Sequence, residues 1–255
     1  MWPGRLPYLG VSAGAVLWFI ALCLVIVWTR ARAVRCYGME RASIERALRW
    51  GILATFVGAW AGALLDRLPR LAQGFSMSDL LGSGFSSGPG YFACLVTVLF
   101  IFRKNPRDVT YTMEAASVPI AFMIAIGRLG CLANGCCRGL PTNLPFGIHF
   151  PDQPPGMALF PVQPLESAYV SVVGLLLLVV EKKFGTCARR RGGALLMPLL
   201  IASYGLWRVL SGFLRADRRV LHGLIAPQLW WLLWTLIGIA WLTHTLRTSP
   251  KKFSS

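Results

Sequence analysis

Three side chains in this 255-residue chain have the type and placement for anion chemistry: Arg128, Arg208 and Glu166. Arg208 is embedded in Tyr204-Gly205-Leu206-Trp207-Arg208-Val209-Leu210, where a lone charge would be costly. Arg215 follows two helical turns later, so the two arginines share a face if the helix continues. No acid stands at helical spacing from them, and their planar forks suit a phosphate bidentately. Snorkelling to a headgroup layer accounts for Arg215 and accounts poorly for Arg208. Arg128 ends an apolar run and opens Gly127-Arg128-Leu129-Gly130-Cys131-Leu132-Ala133-Asn134-Gly135-Cys136-Cys137-Arg138-Gly139. That stretch is the densest concentration of polar and backbone-permissive residues in the chain. Glu166 closes Phe160-Pro161-Val162-Gln163-Pro164-Leu165-Glu166.

The remaining acids and the cysteines are weighed against blander roles. Asp66 ends one apolar run and Glu114 opens another, where Glu114 is expected to neutralise Arg103 or Arg107. Seven cysteines are present, but only Cys131, Cys136 and Cys137 cluster, and the histidines show no paired spacing. A metal site is therefore not expected. A disulfide from Cys131 to Cys136 or Cys137 suits an oxidising face. Small side chains packed beside glycines in a tight turn are the favoured reading of the three. No Ser-His-Asp arrangement and no nucleotide-binding phosphate loop is visible, and no cofactor is implied.

The elements that must position these residues are membrane helices. Hydrophobic residues make up 55% of the chain and charged ones 14%, more apolar surface than a soluble domain of this size needs. Lipid cannot satisfy exposed backbone groups, so all-α spans are expected. Short alternating strands of a barrel type are absent from the pattern. Seven candidates emerge: Leu9–Trp28, Trp50–Leu65, Gly88–Phe102, Met113–Ile126, Leu165–Val180, Gly193–Phe213 and Pro227–His244. The first is too long for a signal-peptide core and is read as a retained helix. Arg41–Leu48 reads as a separate amphipathic helix on the inner face. One domain over residues 1–255 is the working organisation.

The net charge of +16 would suggest nucleic acid in a soluble chain. Here the basic residues lie between apolar runs, which points to anionic headgroups and topology instead. With the N-terminus outside, 17 of the 26 Lys and Arg residues fall on inner segments. Positive-inside bias thus predicts an outside N-terminus and a cytoplasmic C-terminus. The Arg128 stretch and Glu166 then share the outer edge, with two long polar segments, 67–87 and 128–164, on the same side.

Gly127-Arg128-Leu129-Gly130, Asn134-Gly135 and Gly139 together resemble the signature of bacterial prolipoprotein diacylglyceryl transferases. In that family Gly-Arg-x-x-Asn leads through Asn-Gly-Glu to a final glycine. Pro161, Gln163 and Glu166 are similar to its His-Pro-x-Gln-Leu-Tyr-Glu segment. Tyr204-Gly205, Arg208 and Arg215 are similar to its Tyr-Gly-x-x-Arg-x-x-x-Glu-x-x-Arg segment. The order of the blocks and the seven-helix topology agree over most of the chain. Cys131 and Cys136 stand where the family has asparagine and glutamate. Phe160, Leu165 and Gly212 replace its histidine, tyrosine and second glutamate. Ser87-Gly88-Pro89-Gly90 meets its His-Gly-Gly block, and Tyr8 is a loose match to an N-terminal tyrosine.

The resemblance implies transfer of diacylglyceryl from phosphatidylglycerol, or another anionic phospholipid, to the lipobox cysteine of a lipoprotein precursor. The place implied is the bacterial inner membrane, with the site toward the outer face. Arg128 and Arg208 would clamp the leaving phosphate, with Glu166 orienting an arginine or acting as base. Asn134 would reach headgroup oxygens, and Gly127, Gly135 and Gly139 would let backbone amides approach, with Gln163, Arg215 and Tyr8 completing the substrate site. Two other readings stay open here: an inactive or substrate-shifted relative that binds lipid or a partner, and a membrane thiol oxidoreductase using the cysteines.

Overall fold

The structure, a computed structural model, describes residues 12–65, 86–184, 194–216, 219–221 and 224–248. Tyr8, Asp66, Cys187 and most of the 67–87 segment lie outside the described residues. The helices are α1 (Ala13–Tyr37), α2 (Arg41–Leu65), α3 (Ser87–Ile101), α4 (Pro106–Ala133), α5 (Val162–Phe184), α6 (Leu196–Ser211) and α7 (Ala226–Thr248). A short 3-10 turn, Gly212–Leu214, and a two-stranded antiparallel hairpin, β1 (Arg219–Leu221) with β2 (Leu224–Ile225), connect α6 to α7. Among the described residues six helices are long and apolar enough to cross a bilayer, and α3 is shorter. The chain is a multi-pass membrane protein whose spans are helical.

Several boundaries differ from the sequence expectation, for local reasons. Helix α1 runs on past Trp28 to Tyr37, where Gly38 at φ 66° turns the chain and donates to the Ala33 and Val34 carbonyls. The expected separate helix at Arg41–Leu48 is instead the first two turns of α2, since nothing between Leu48 and Gly51 breaks the hydrogen-bond ladder. Helix α4 is far longer than Met113–Ile126, extending from Pro106 at its N-terminal turn through Ala133. Hydropathy marked only its apolar middle. The first half of the signature stretch is therefore helical and not a turn.

Helix α4 is the axis of the bundle, packing against α1, α5 and α6, while α2 pairs with α3 and α6 with α7. Ala115, Val118, Ala121 and Ala125 fall at three- and four-residue steps and are fully or almost fully buried. Small side chains let neighbouring backbones approach, which is how membrane helices gain packing energy without a hydrophobic drive. Gly174 of α5 faces Ala121 and Phe122 in the same way, where a Cβ would sit 3.1 Å from the Phe122 ring.

Pro119 lies inside α4 and cannot donate to Ala115 O. Arg32 Nε of α1 supplies the missing donor at 3.0 Å. The same guanidinium grips Glu181 of α5 bidentately, at 2.9 and 2.6 Å, with both side chains nearly inaccessible. One arginine therefore ties three helices together. Glu114 does not serve as a surface counter-ion for Arg103 or Arg107. It is buried and accepts from the Leu195 and Met197 N–H groups, both at 3.0 Å, at the N-terminus of α6. A carboxylate there satisfies orphan donors and meets the positive end of the helix dipole.

Removing one partner of the Arg32–Glu181 pair strands the other charge and, for Arg32, also the Ala115 carbonyl. Arg32→Ala is expected to cost about 3–5 kcal/mol, whereas Arg32→Met with Glu181→Leu recovers most of it. Thermal unfolding of the parent and these two variants in detergent measures both values.

Candidate functional site

Glu166 lies on the first turns of α5 with no exposed surface. Three donors converge on its carboxylate. Arg128 Nε of α4 stands 2.9 Å from Oε1, and Tyr204 Oη of α6 donates to the same oxygen at 2.6 Å. Arg208 Nη1, one turn along α6, lies 3.2 Å from Oε2 and 3.4 Å from Oε1. Arg128 Nη2 also donates to Tyr204 Oη at 3.3 Å. The face of Trp231 of α7 lies 5.8 Å from the Arg208 guanidinium carbon and meets the Tyr204 ring edge-on at 4.9 Å. Four helices thus contribute to the cluster.

Two guanidinium groups face one carboxylate, so this buried cluster carries a net positive charge. Arg208 Nε is buried and has no hydrogen-bond partner among the described residues. An unpaired donor on a buried guanidinium is costly unless an acceptor arrives. The arrangement can take an anion with several oxygens, and a phosphodiester meets that need. Glu166 has both oxygens occupied and serves as the orienting group for the two arginines.

Arg215 and Arg208 do not share a helical face as expected. Helix α6 ends at Ser211, the 3-10 turn follows, and Arg215 is extended at φ −98°, ψ 148°. Arg215 is nevertheless buried, and its backbone pairs with Gly139 in an isolated antiparallel bridge. Around this bridge Leu140 N donates to Leu214 O at 2.9 Å and Ala216 N to Arg138 O at 3.2 Å. The proline-punctuated segment after α4 is also cross-tied, with Ile148 and Leu159 exchanging both backbone hydrogen bonds at 2.9 Å. Gly139 is required at its position because a Cβ there would collide with the Phe160 carbonyl oxygen.

The other signature residues pack as follows. Gly127 and Gly130 face Trp18 of α1, whose ring would be 2.6 Å from a Cβ at Gly127. Their backbone-permissive surface is therefore used to seat α1 on α4. Asn134 caps the end of α4 and its exposed side chain occupies the space over Gly14. Gly135 turns the chain at φ 64°, and its carbonyl accepts from Arg138 Nε at 2.6 Å. Gln163 is buried and donates to Cys136 O at 2.7 Å, joining the loop to the start of α5. The arrangement brings Arg128, Glu166, Arg208, Gln163, Gly139 and Arg215 to one end of the bundle.

The three clustered cysteines are free thiols, not a disulfide, and their sulfurs all lie within 4.8 Å of one another. Cys131 is buried on the last turn of α4, Cys137 is half-buried and Cys136 is exposed. Cys137 has φ 58°, the left-handed region that non-glycine residues seldom occupy. Hydrogen bonds from the Cys131 and Cys136 thiols hold the Cys137 sulfur well below the usual thiol pKa, helped by Arg215 and Arg128. The same sharing pushes the Cys136 thiol up. Beside them, Arg138 lies 2.8 Å from Asp152 and over the Phe150 ring at 4.5 Å, and its guanidinium holds the exposed Asp152 carboxyl below the usual range.

The family model described as "Prolipoprotein diacylglyceryl transferase" matches residues 5–244. The chain belongs to the prolipoprotein diacylglyceryl transferase family. It is 30% identical over 234 residues to phosphatidylglycerol-prolipoprotein diacylglyceryl transferase 2 of Clostridium perfringens, covering 89% of this chain and 87% of the relative. It is 29% identical over 227 residues to the phosphatidylglycerol-prolipoprotein diacylglyceryl transferase of Clostridium tetani, covering 88% of each. A third relative of the same name, from Dehalococcoides mccartyi, is 25% identical over 77% of each chain.

Two residues of the cluster carry more than their sequence context suggested. Tyr204 was legible only as part of a family block, yet it stands four residues before Arg208 and so projects from the same face of α6. Trp231 gave no signal beyond its aromatic type. Glu166→Gln leaves Arg128 and Arg208 repelling each other in a buried site, and a loss of about 3–5 kcal/mol is expected. Tyr204→Phe removes the hydroxyl that donates to Glu166 and accepts from Arg128, and a loss of about 1.5–3 kcal/mol is expected. Thermal unfolding in detergent ranks the two, and a Glu166→Gln protein as stable as the parent would contradict the ion-pair geometry.

Proposed function

We propose that this chain is a membrane transferase that moves a diacylglyceryl group from phosphatidylglycerol to the cysteine thiol of a lipoprotein precursor. The observation that carries the reading is the buried, positively charged Arg128–Glu166–Arg208 cluster with an unsatisfied Arg208 Nε. The names of the relatives supply the lipid and the acceptor. The site works in the bacterial inner membrane, toward the outer face, with the N-terminus outside and the C-terminus cytoplasmic, as the distribution of Lys and Arg favours.

The acceptor thiol gives up its proton to water, and its sulfur attacks the diacylglyceryl carbon that carries the phosphodiester oxygen. As the new S–C bond forms, the C–O bond breaks and its electron pair leaves with glycerol phosphate. Negative charge grows on the phosphate during this step, and donors already in place stabilise it without reorganisation. Arg128 and Arg208 are the catalytic residues, in contact with the phosphate. Glu166 and Tyr204 are positioning residues that hold both guanidinium planes. Gln163 and Gly139 shape the adjoining loop, Asn134, Gly135 and Gly127 fix the end of α4, and Arg215 adds positive charge toward the leaving group. Tyr8 is assigned to the substrate site on the family resemblance alone. Confinement of lipid and acceptor to one membrane edge contributes the orientation that a bimolecular reaction in solution lacks.

Reconstitution of the full chain in phosphatidylglycerol vesicles with a lipobox peptide tests the reading by mass spectrometry. The expected product is the peptide carrying one diacylglyceryl group. Arg208→Ala is expected to lower kcat by about 10²–10³-fold, with Arg208→Lys intermediate because it keeps charge and loses the fork. Folded protein that binds phosphatidylglycerol and forms no adduct would replace this reading by that of a lipid-binding relative.

A further inference from the structure

The three-thiol cluster has no role in the phosphate chemistry above, and it faces the same end of the bundle. We infer that Cys131, Cys136 and Cys137 form a binding site for a thiophilic divalent cation of the zinc type, whose fourth position takes the acceptor thiol. This inference rests on the thiol-alkylation reading of the site.

The geometry supports a metal over a structural or disulfide role. Sulfurs at the corners of a tetrahedral zinc site, with Zn–S near 2.3 Å, are about 3.8 Å apart. The three sulfurs here already lie within 4.8 Å of one another, so closure around a cation needs displacements of about 1 Å or less. A disulfide would use two thiols and leave the third. The backbone is shaped to deliver all three. Cys136 N donates back to Cys131 O at 3.0 Å, Gly135 turns at φ 64°, and Cys137 is held in the left-handed region. Gln163 fixes the loop from the other side through Cys136 O.

Burial is graded in the sense a catalytic site requires. Cys131 is buried against the end of α4 while Cys136 is exposed, so the cation would be anchored inside and open on one side. Three thiolates and one divalent cation sum to a single negative charge, which Arg128 and Arg215 are placed to offset. Structural zinc sites are closed by four protein ligands, and sites with three keep a position for substrate.

The chemistry fits a reaction that has no other evident base. A thiol that coordinates such a cation loses its proton outright and remains nucleophilic sulfur. On the open side the displaced proton passes to water. The bound sulfur then forms the S–C bond while the C–O bond to phosphate breaks, and the electron pair leaves on glycerol phosphate beside Arg128 and Arg208. The thioether product is neutral and a poor ligand, so it would leave the metal.

The test is metal analysis and cobalt substitution of the detergent-purified full chain. The expected result is close to one zinc per chain and, after exchange, a sulfur-to-cobalt charge-transfer band that changes when lipobox peptide is added. Peptide with the cysteine replaced by serine should leave the band unchanged. Cys136→Ser, the exposed ligand and the substitution least able to disturb folding, should weaken zinc binding and slow adduct formation. Cys23→Ser, on the lipid-exposed side of α1, should change neither. Metal-free protein that forms adduct at the parental rate would overturn the inference and leave the transferase reading standing. A cobalt band indifferent to the peptide thiol would overturn it too. A thiol-sensitive band in a protein that forms no adduct would support the site and reject the transferase reading instead.

Discussion

A carboxylate with no exposed surface inside an apolar bundle is the constraint from which the rest of the site follows. Glu166 is tolerable there only because Arg128, Tyr204 and Arg208 bring donors from two other helices. Helices α4, α5 and α6 cannot separate without exposing these charges to lipid or to one another. The packing of the three helices and the shape of the site are therefore one problem with one solution. The same contacts hold two guanidinium planes still, which is the condition for stabilising charge that appears only during reaction.

The opposite end of the bundle shows what a purely structural ion pair looks like in this protein. Arg32 meets Glu181 one to one, with both terminal nitrogens on both carboxylate oxygens and Nε on a carbonyl freed by Pro119. Charge and hydrogen bonds are both closed. At the Glu166 end they are open: two cations face one anion, and Arg208 Nε has no partner among the described residues. The contrast separates a staple from a binding site on physical grounds, without reference to the family.

The signature stretch divides its work between those two kinds of task. Its helical half, Gly127 to Ala133, seats α1 through Trp18 and projects Arg128 toward Glu166. Its loop half turns twice through left-handed residues and gathers three sulfurs beside the arginines. Of the glycines read at first as openings for a lipid headgroup, Gly127 is covered by the Trp18 ring and Gly139 by the backbone of Phe160. Close packing and close ligand approach demand the same residue type, so sequence could not tell them apart.

Composition alone determined that this is an all-helical membrane protein, because apolar runs of that length have no other stable solution in lipid. The sequence also marked Arg208 and Glu166, since an ionisable residue in such a run needs a reason. It misplaced helix ends, because polar residues at Arg107 or Arg46 continue a helix as readily as they end a membrane span. Only the tertiary structure decided who meets whom. Glu114 caps a helix more than eighty residues away, Glu166 binds arginines on two other helices, and three cysteines five and six residues apart converge. Partners at that separation are set by how helices pack, and packing is read from shape, which the order of residues along one chain does not display.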